Sequence, residues 1–572
     1  MRLQGKVLAG LVALLAMAAL PVACTTITDG LAGAFFLPKD ARPGTYSVIT
    51  ERRVGFTTSD GVQLLADVHR PKGLTKTPTL LSRIPFSNTW WNRVRSDSIS
   101  RYWAARGYTV VVQGTRGRYE SGGDFYPLAP ERQDGIETLK WLSEQPWYDG
   151  RIAMWGGSAF GHTQWAIADQ TEPNVDAFFI QIASTDFANV FHVDGAFALE
   201  TALYWALLSH GEVDKEIDYK DFEKGIAGLP AIEADNRACC DVEFFNDWAL
   251  NEADAPYWRI VDGDNRAKHV QAPVLLLAGW YDPFLRTMLA DFEDLRSRPA
   301  TRYSRIVIGP YVHADTIEWP GGGIDEPYRL ASVAPALDWY DYQLKVTDKP
   351  LNMAPVRIYV MGENRWRDEQ EWPLARTRYR DFNLSGSGGL DTALVLQEPS
   401  RSFVYDPLDP VPTAGGAMLG KRAGLKKQNE IEARDDVLLY TSRPLDEPME
   451  VTGPLMAELY VSTDAPSTDF TVKLVDVWPD GSAYNIADGI LRRSYLPGAI
   501  KHIEVDMGAT SVVFGKGHRI RVEVSSSNYP RFDRNPNTGE PAVTAARTQV
   551  ARQTVWHDAQ HVSRIILPVI PR

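Results

Sequence analysis

A serine acts as a nucleophile only where its hydroxyl stands clear of the backbone and a base can reach it. Ser158 lies in such a setting. Ile152-Ala-Met-Trp155 reads as a buried strand, Gly156, Gly157 and Gly161 surround the serine, and the residues that follow read as a helix. A tight strand-to-helix turn would project Oγ from the sheet edge. The helix would then aim its free N–H groups and positive dipole end at a developing oxyanion. The plain alternative is a glycine-rich turn carrying an idle serine.

A hydroxyl needs a histidine to take its proton, and the histidine needs a carboxylate to fix its tautomer. In sheet enzymes of this kind the chain order is Ser, then Asp or Glu, then His, each on a loop after a strand. Val274-Leu-Leu-Leu-Ala278 reads as a strand and leads into Gly279-Trp-Tyr-Asp282; Arg305-Ile-Val-Ile308 leads into Gly309-Pro-Tyr-Val-His313. Taken singly, Asp282 could be a turn or helix-cap residue and His313 a surface histidine. Together, at the ends of successive strands downstream of Ser158, they make a candidate triad.

The elements that must hold these residues follow from periodicity. Alternating runs over 47–70 turn at Ser59-Asp60-Gly61. The apolar runs Thr79 to Ile84, Tyr108 to Gln113, Ile152 to Trp155 and Phe178 to Ile182 are separated by helical stretches around 98–106 and 134–142. Strands alternating with helices predict a mostly parallel, doubly wound sheet over 45–185, resuming over 271–355 with the helix Ala336 to Leu344. Between them, over 186–270, apolar residues recur at helical spacing (Phe197, Leu199, Leu203, Trp205, Leu208) and strand signals vanish, predicting a helical cap. From 356 to 572 short β-rich runs alternate with Gly, Pro, Asp and Asn turns, which predicts an all-β sandwich or jelly roll.

The 572 residues are 44% hydrophobic and 23% charged, enough for several cores, and the formal charge of −13 argues against a nucleic-acid partner. Arg2 and Lys6, the apolar run Val7 to Leu20 and Pro21-Val-Ala-Cys24 read as a signal peptide over 1–24, which predicts a secreted or periplasmic product. Cys24 is a candidate lipid anchor and the only expected membrane contact. The remaining cysteines, Cys239 and Cys240, are adjacent. Such neighbours do not readily bridge, and no Cys/His cluster of ligand spacing surrounds them, so neither a disulfide nor a metal site is expected. No cofactor signature appears.

The chain also resembles the cocaine esterase-like hydrolases, a family related in fold to X-prolyl dipeptidyl aminopeptidases and α-amino acid ester hydrolases. The resemblance is carried by Arg83-Ile-Pro-Phe86, Gln113-Gly-Thr-Arg-Gly-Arg118, Gln145-Pro-Trp147, Gly156 to Gly161, Gly279 to Asp282 and Gly309 to His313. It continues through Val360 to Arg367, Tyr405 to Pro410, Asp476 to Gly481 and Ser525 to Pro530. It implies an α/β-hydrolase domain with a helical cap insertion plus a C-terminal jelly roll. It also implies Ser158, Asp282 and His313 as nucleophile, orienting acid and general base.

The family's oxyanion hole pairs a backbone N–H, here that of Ala159, with a tyrosine hydroxyl; this chain has Phe86 in the tyrosine's place. The indoles of Trp90 and Trp91, also candidate pocket residues, could donate instead. Gly114 stands where relatives carry an acid, which leaves the partner of Arg116 open. Asp282 is followed by Pro283-Phe284, so an apolar pocket wall including Phe284 is expected in place of acids that would hold an ammonium. The leading expectation is a small-molecule carboxylic ester cleaved through an acyl-enzyme. The alternatives are an X-prolyl dipeptidyl peptidase or amide acylase, for which the cap acids Glu200, Glu212, Asp214 and Glu216 could seat an amine, and a catalytically weak binding protein.

Overall fold

A strand buried on both faces must be apolar throughout, and the short runs of the N-terminal half meet that condition. The computed structural model describes residues 41–211, 217–263, 265–324, 327–393 and 400–571, except for the side chain of Trp91; Cys24 and the rest of the expected signal segment 1–24 lie outside them. The centre of the molecule is a ten-stranded sheet. Its parallel part runs, in spatial order, Thr109–Gly114, Thr77–Ile84, Tyr148–Gly157, Ala177–Gln181, Val274–Gly279, Arg305–Gly309 and Val356–Val360. Antiparallel strands close both edges, Val48–Thr57 and Gln63–Pro71 on one side and Arg365–Glu369 on the other.

Successive side chains of a strand point to opposite faces. Leu80 and Leu81, Val110 and Val111, Phe178 and Phe179, and Leu275 and Leu276 accordingly divide between two cores. The helices Trp90–Ala104, Glu131–Ser143, Ala159–Trp165, Leu285–Arg296 and Ala336–Gln343 connect the strands. The first is N-capped by Thr89, whose side chain accepts from the Asn92 N–H, and so it begins well before the 98–106 stretch read from the sequence.

One domain boundary moves. The run Val356-Arg-Ile-Tyr-Val360, assigned from the sequence to the β-rich C-terminal part, is a parallel strand of the hydrolase sheet, with Ile306 opposite Val356. A short β-run does not announce which sheet will take it, and here the partner is supplied from 50 positions away in register. The sandwich begins after Arg365–Glu369.

The cap between Gln181 and Val274 is helical as expected, with Leu199–Ser209, Tyr219–Ile226, Ala234–Ala238, Glu243–Leu250 and Trp258–Asp262. Its centre is a ring stack in which Trp248 lies 4.7 Å from Phe191 and 4.9 Å from Trp205. A second correction falls here, because Cys239 and Cys240 are joined in a disulfide. The helix Ala234–Ala238 ends at Cys239, and the non-helical backbone there (φ −156°, ψ −44°) lets neighbouring side chains face each other.

The C-terminal part is a two-sheet antiparallel sandwich. One sheet is built on Met449–Thr463, Lys501–Phe514, Arg378–Leu384 and Arg564–Val569. The other comprises Leu438–Thr441, Arg519–Ser525, Ser467–Val477 and Ala483–Ser494. It is fused to the catalytic half: Met361 exchanges backbone hydrogen bonds with Ser511 and Val513, and the Tyr281 hydroxyl donates to the Asn485 carbonyl at 2.9 Å.

Candidate active site

Ser158 sits where the strand Tyr148–Gly157 turns into the helix Ala159–Trp165, with φ 55° and ψ −127°. A non-glycine residue at positive φ is strained by on the order of 1–3 kcal/mol and persists only where its surroundings fix it. Here the Ser158 N–H donates to the Gln181 carbonyl at 2.8 Å, and the Ser158 carbonyl accepts from the His162 N–H at 3.0 Å. The flanking glycines are sterically required. A Cβ on Gly156 would lie 2.3 Å from the Phe160 Cβ, and one on Gly161 would lie 2.6 Å from the Ala183 Cβ.

The structure brings the three predicted residues together. His313 Nε2 is 2.8 Å from Ser158 Oγ, and His313 Nδ1 is 2.6 Å from Asp282 Oδ2. A carboxylate only accepts, so the Nδ1 proton lies toward Asp282 and Nε2 is left to accept from the serine hydroxyl. Asp282 is buried, and its other oxygen accepts from the Phe284 N–H at 2.9 Å. This arrangement can move a proton off Ser158 Oγ and hold the imidazolium that results. Ala159, at the first position of the helix, has an N–H with no acceptor four residues back and lies on the wall beside the serine.

The serine opens onto a cavity of about 320 Å³. Phe86, Phe160, Phe187, Trp205, Phe284 and Leu419 supply much of its wall, drawn from the sheet, the cap and the sandwich. Phe284 stacks obliquely 5.7 Å from the His313 ring, and Phe187 meets Phe284 edge-on at 5.3 Å. Phe86 lies on the wall, 5.3 Å from Phe160, and its side chain has no donor. Trp90 does not lie there: its side chain is 61% exposed and absent from the wall. The helix starts at Trp90, which turns that residue outward. The Trp91 side chain lies outside the described residues.

Tyr328 and Arg95 are wall residues with functional groups that the sequence did not reveal. Tyr328 brings a phenol close to the serine turn: a Cβ on Gly157 would lie 3.1 Å from its oxygen, and the hydroxyl donates to Gln181 Oε1 at 3.3 Å. Arg95 faces the same cavity. Desolvation pushes its guanidinium pKa down, against a smaller upward pull from Tyr328. Nothing local marks either residue; each arrives from a helix whose register alone turns it inward. No Asp or Glu lines the cavity among the described residues.

Of the cap acids considered as amine seats, Glu200 points elsewhere. It accepts the backbone N–H groups of Gly420 at 2.8 Å and Leu419 at 3.3 Å, and burial pushes its pKa up to about 7. Glu212, Asp214 and Glu216 lie outside the described residues. Gly114 also finds an explanation, since a Cβ there would meet the Arg118 carbonyl at 2.2 Å, so no acid fits. Arg116 pairs instead with Asp134 and Asp60, each at 2.7 Å.

Comparisons with known proteins agree with this architecture. Residues 60–315 match the family described as X-Pro dipeptidyl-peptidase (S15 family), and residues 351–566 match the X-Pro dipeptidyl-peptidase C-terminal non-catalytic domain. The cocaine esterase of Rhodococcus sp. (strain MB1 Bresler) is 34% identical over 592 aligned positions, covering 92% of this chain and 100% of that protein. Among solved structures, an aminopeptidase from a marine sediment archaeon (Thaumarchaeota archaeon) superposes with a TM-score of 0.79 at 23% identity, covering 93% of this chain and 98% of that one. An α-amino acid ester hydrolase gives 0.77 at 22% identity with the same coverage, and both likenesses concern the fold.

Proposed function

Because the chain belongs to the serine-hydrolase family that unites the S15 X-Pro dipeptidyl-peptidases with cocaine esterase, and is an enzyme acting on ester bonds, we propose that it cleaves an uncharged or aromatic carboxylic ester through an acyl-enzyme on Ser158. The observation that carries this reading is the unbroken hydrogen-bond chain from Asp282 through His313 to Ser158 at the wall of an aromatic cavity.

Ser158 Oγ bonds to the acyl carbon as its proton passes to His313 Nε2, and Asp282 holds the imidazolium. The carbonyl oxygen takes up the negative charge, and the Ala159 N–H at the positive end of its helix stabilises it. Collapse breaks the ester C–O bond, and the alcohol leaves with the proton from His313. Water then repeats the sequence on the acyl-serine and releases the acid. Phe86 contributes nothing to the oxyanion, so a good leaving group is favoured.

The wall also bears on the peptidase reading. An α-ammonium needs a carboxylate partner when it leaves water. The described wall offers none. The test is a turnover panel of neutral aryl and alkyl esters against α-amino esters and X-Pro anilides. Neutral aryl esters are expected to exceed the free-amine substrates by at least about 10²-fold in kcat/KM, since an ammonium left unpaired costs about 3 kcal/mol. Faster turnover of the X-Pro anilide would overturn the ester assignment. We further propose that the enzyme is exported, with Cys24 as the candidate lipid anchor. The basic start and the apolar run Val7 to Leu20 support this, and the mature mass of protein expressed with its leader reads it directly.

A further inference from the structure

The cap helix Leu199–Ser209 ends at His210, and the cap helix Ala234–Ala238 ends at Cys239. The fold sets these two ends side by side, with His210 Nε2 3.7 Å from Cys239 Sγ across 29 residues of sequence. The ligand atoms of His210, Cys239 and Cys240 all lie within 4.8 Å of one another. The ring's other nitrogen, Nδ1, faces the carbonyls of Leu207 at 3.0 Å and Ala206 at 3.3 Å. Carbonyls only accept, so Nδ1 carries the proton. Nε2 is therefore the nitrogen turned toward the sulfurs, with Nδ1 held by backbone carbonyls as in metal-binding histidines.

We propose that His210, Cys239 and Cys240 form a redox-gated site for a thiophilic d¹⁰ cation of the Zn²⁺ or Cd²⁺ kind, closed while the cysteines are disulfide-bonded and open once they are reduced. The distances suit such an ion. With Zn–S about 2.3 Å and Zn–N about 2.0–2.1 Å, tetrahedral angles put a sulfur and a nitrogen about 3.5–3.6 Å apart and two sulfurs about 3.8 Å apart. The first separation is close to what is present. The second needs only the parting of the two sulfurs, whose Cα atoms are 3.8 Å apart. Cys239 is exposed, which leaves a fourth position for water.

The chemistry balances with an external dithiol. Two electrons and two protons pass from the dithiol to the Cys239–Cys240 bond, giving two thiols and an oxidised dithiol. Binding of the cation then releases two protons to solvent as both sulfurs become thiolates. This site lies apart from Ser158. It ties together the ends of two cap helices, and the first of those helices carries Tyr204, Trp205 and Leu208 on the catalytic cavity wall.

The test is a Cd²⁺ titration of the full chain, oxidised or reduced with a dithiol and desalted without air, read by thiolate-to-cadmium charge-transfer absorption. The Cys239→Ser/Cys240→Ser variant, which retains Cys24, serves as the blank. Above that blank, the reduced protein is expected to take one equivalent and the oxidised protein none. His210→Ala should weaken binding by at least about tenfold, the low end of what losing a supporting partner costs. Far-ultraviolet circular dichroism of His210→Ala confirms that the cap is intact, and Cys239→Ser alone provides an independent loss of ligand. A reduced protein no better than the blank, equal uptake by the oxidised protein, or an unchanged affinity in His210→Ala would each overturn the site.

Discussion

At the residue scale, the two informative positions are Asp282 and Phe86. Asp282 accepts the Nδ1 proton of His313, and replacement by asparagine keeps the shape while offering that proton a competing donor. Asp282→Asn is expected to lower kcat by about 10⁴-fold with the fold unchanged. A loss under tenfold would pass the role to another carboxylate; the nearest to His313 in sequence, Asp315, is exposed and accepts from the Thr316 N–H. Phe86 stands on the cavity wall against Phe160. A phenol there should complete an oxyanion hole that is short of one donor. Phe86→Tyr is expected to raise kcat on unactivated alkyl esters by about 10²-fold and to raise it less on p-nitrophenyl esters of the same acid. An unchanged ratio between the two esters would mean the hole is already complete, with the Tyr328 phenol the first group to replace. Ser158, Asp282 and His313 were legible in the sequence because each directly follows an apolar run and carries its own local chemistry. Tyr328 and Arg95 were not, because nothing adjacent to them distinguishes a residue facing the cavity from one facing solvent.

At the element scale, Glu200 joins the cap helix Leu199–Ser209 to the sandwich loop that places Leu419 on the cavity wall. Burial raises its pKa from 4.5 to about 7, outweighing the two backbone N–H groups that favour the anion. A carboxyl whose folded pKa is raised adds stability that is fully present below the unfolded pKa and is lost as pH rises through the folded value. Stability should therefore decline between about pH 4.5 and pH 7, by on the order of 3 kcal/mol from this group at full ionisation. Asp262 and Asp291, pushed up by burial to about 8 and about 7, act in the same direction. Glu200→Gln cannot ionise and keeps one oxygen to accept the closer Gly420 N–H, at the loss of the longer bond from Leu419, so its Tm should fall less than that of the wild type between pH 5 and pH 8. Parallel Tm curves would show that Glu200 ionises freely in the folded state. The cap helices and the sheet were legible because hydrophobic period separates them cleanly. The strand Val356–Val360 was misplaced because period reveals a strand and not its partner. The disulfide escaped because adjacent cysteines seldom bridge, and His210 because it meets them only through the packing of two helix ends.

At the scale of the whole molecule, the catalytic cavity exists only where sheet, cap and sandwich meet. Ser158 comes from the first, Trp205 from the second and Leu419 from the third. Tyr281, beside the catalytic acid, is fully buried and bonded to the sandwich, so the C-terminal part braces the loop that carries Asp282. That dependence explains why the chemistry was readable from a few motifs while the substrate was not: the motifs lie at strand ends, whereas the wall is a long-range assembly. The central claim is an acyl-enzyme on Ser158. Rapid mixing with a p-nitrophenyl ester, followed by acid quench and peptide mapping, measures it directly. A burst of p-nitrophenol close to one equivalent is predicted, with the acyl mass on the peptide containing Ser158 and both signals absent in Ser158→Ala. Acylation of a different residue, or undiminished turnover by Ser158→Ala, would contradict the account.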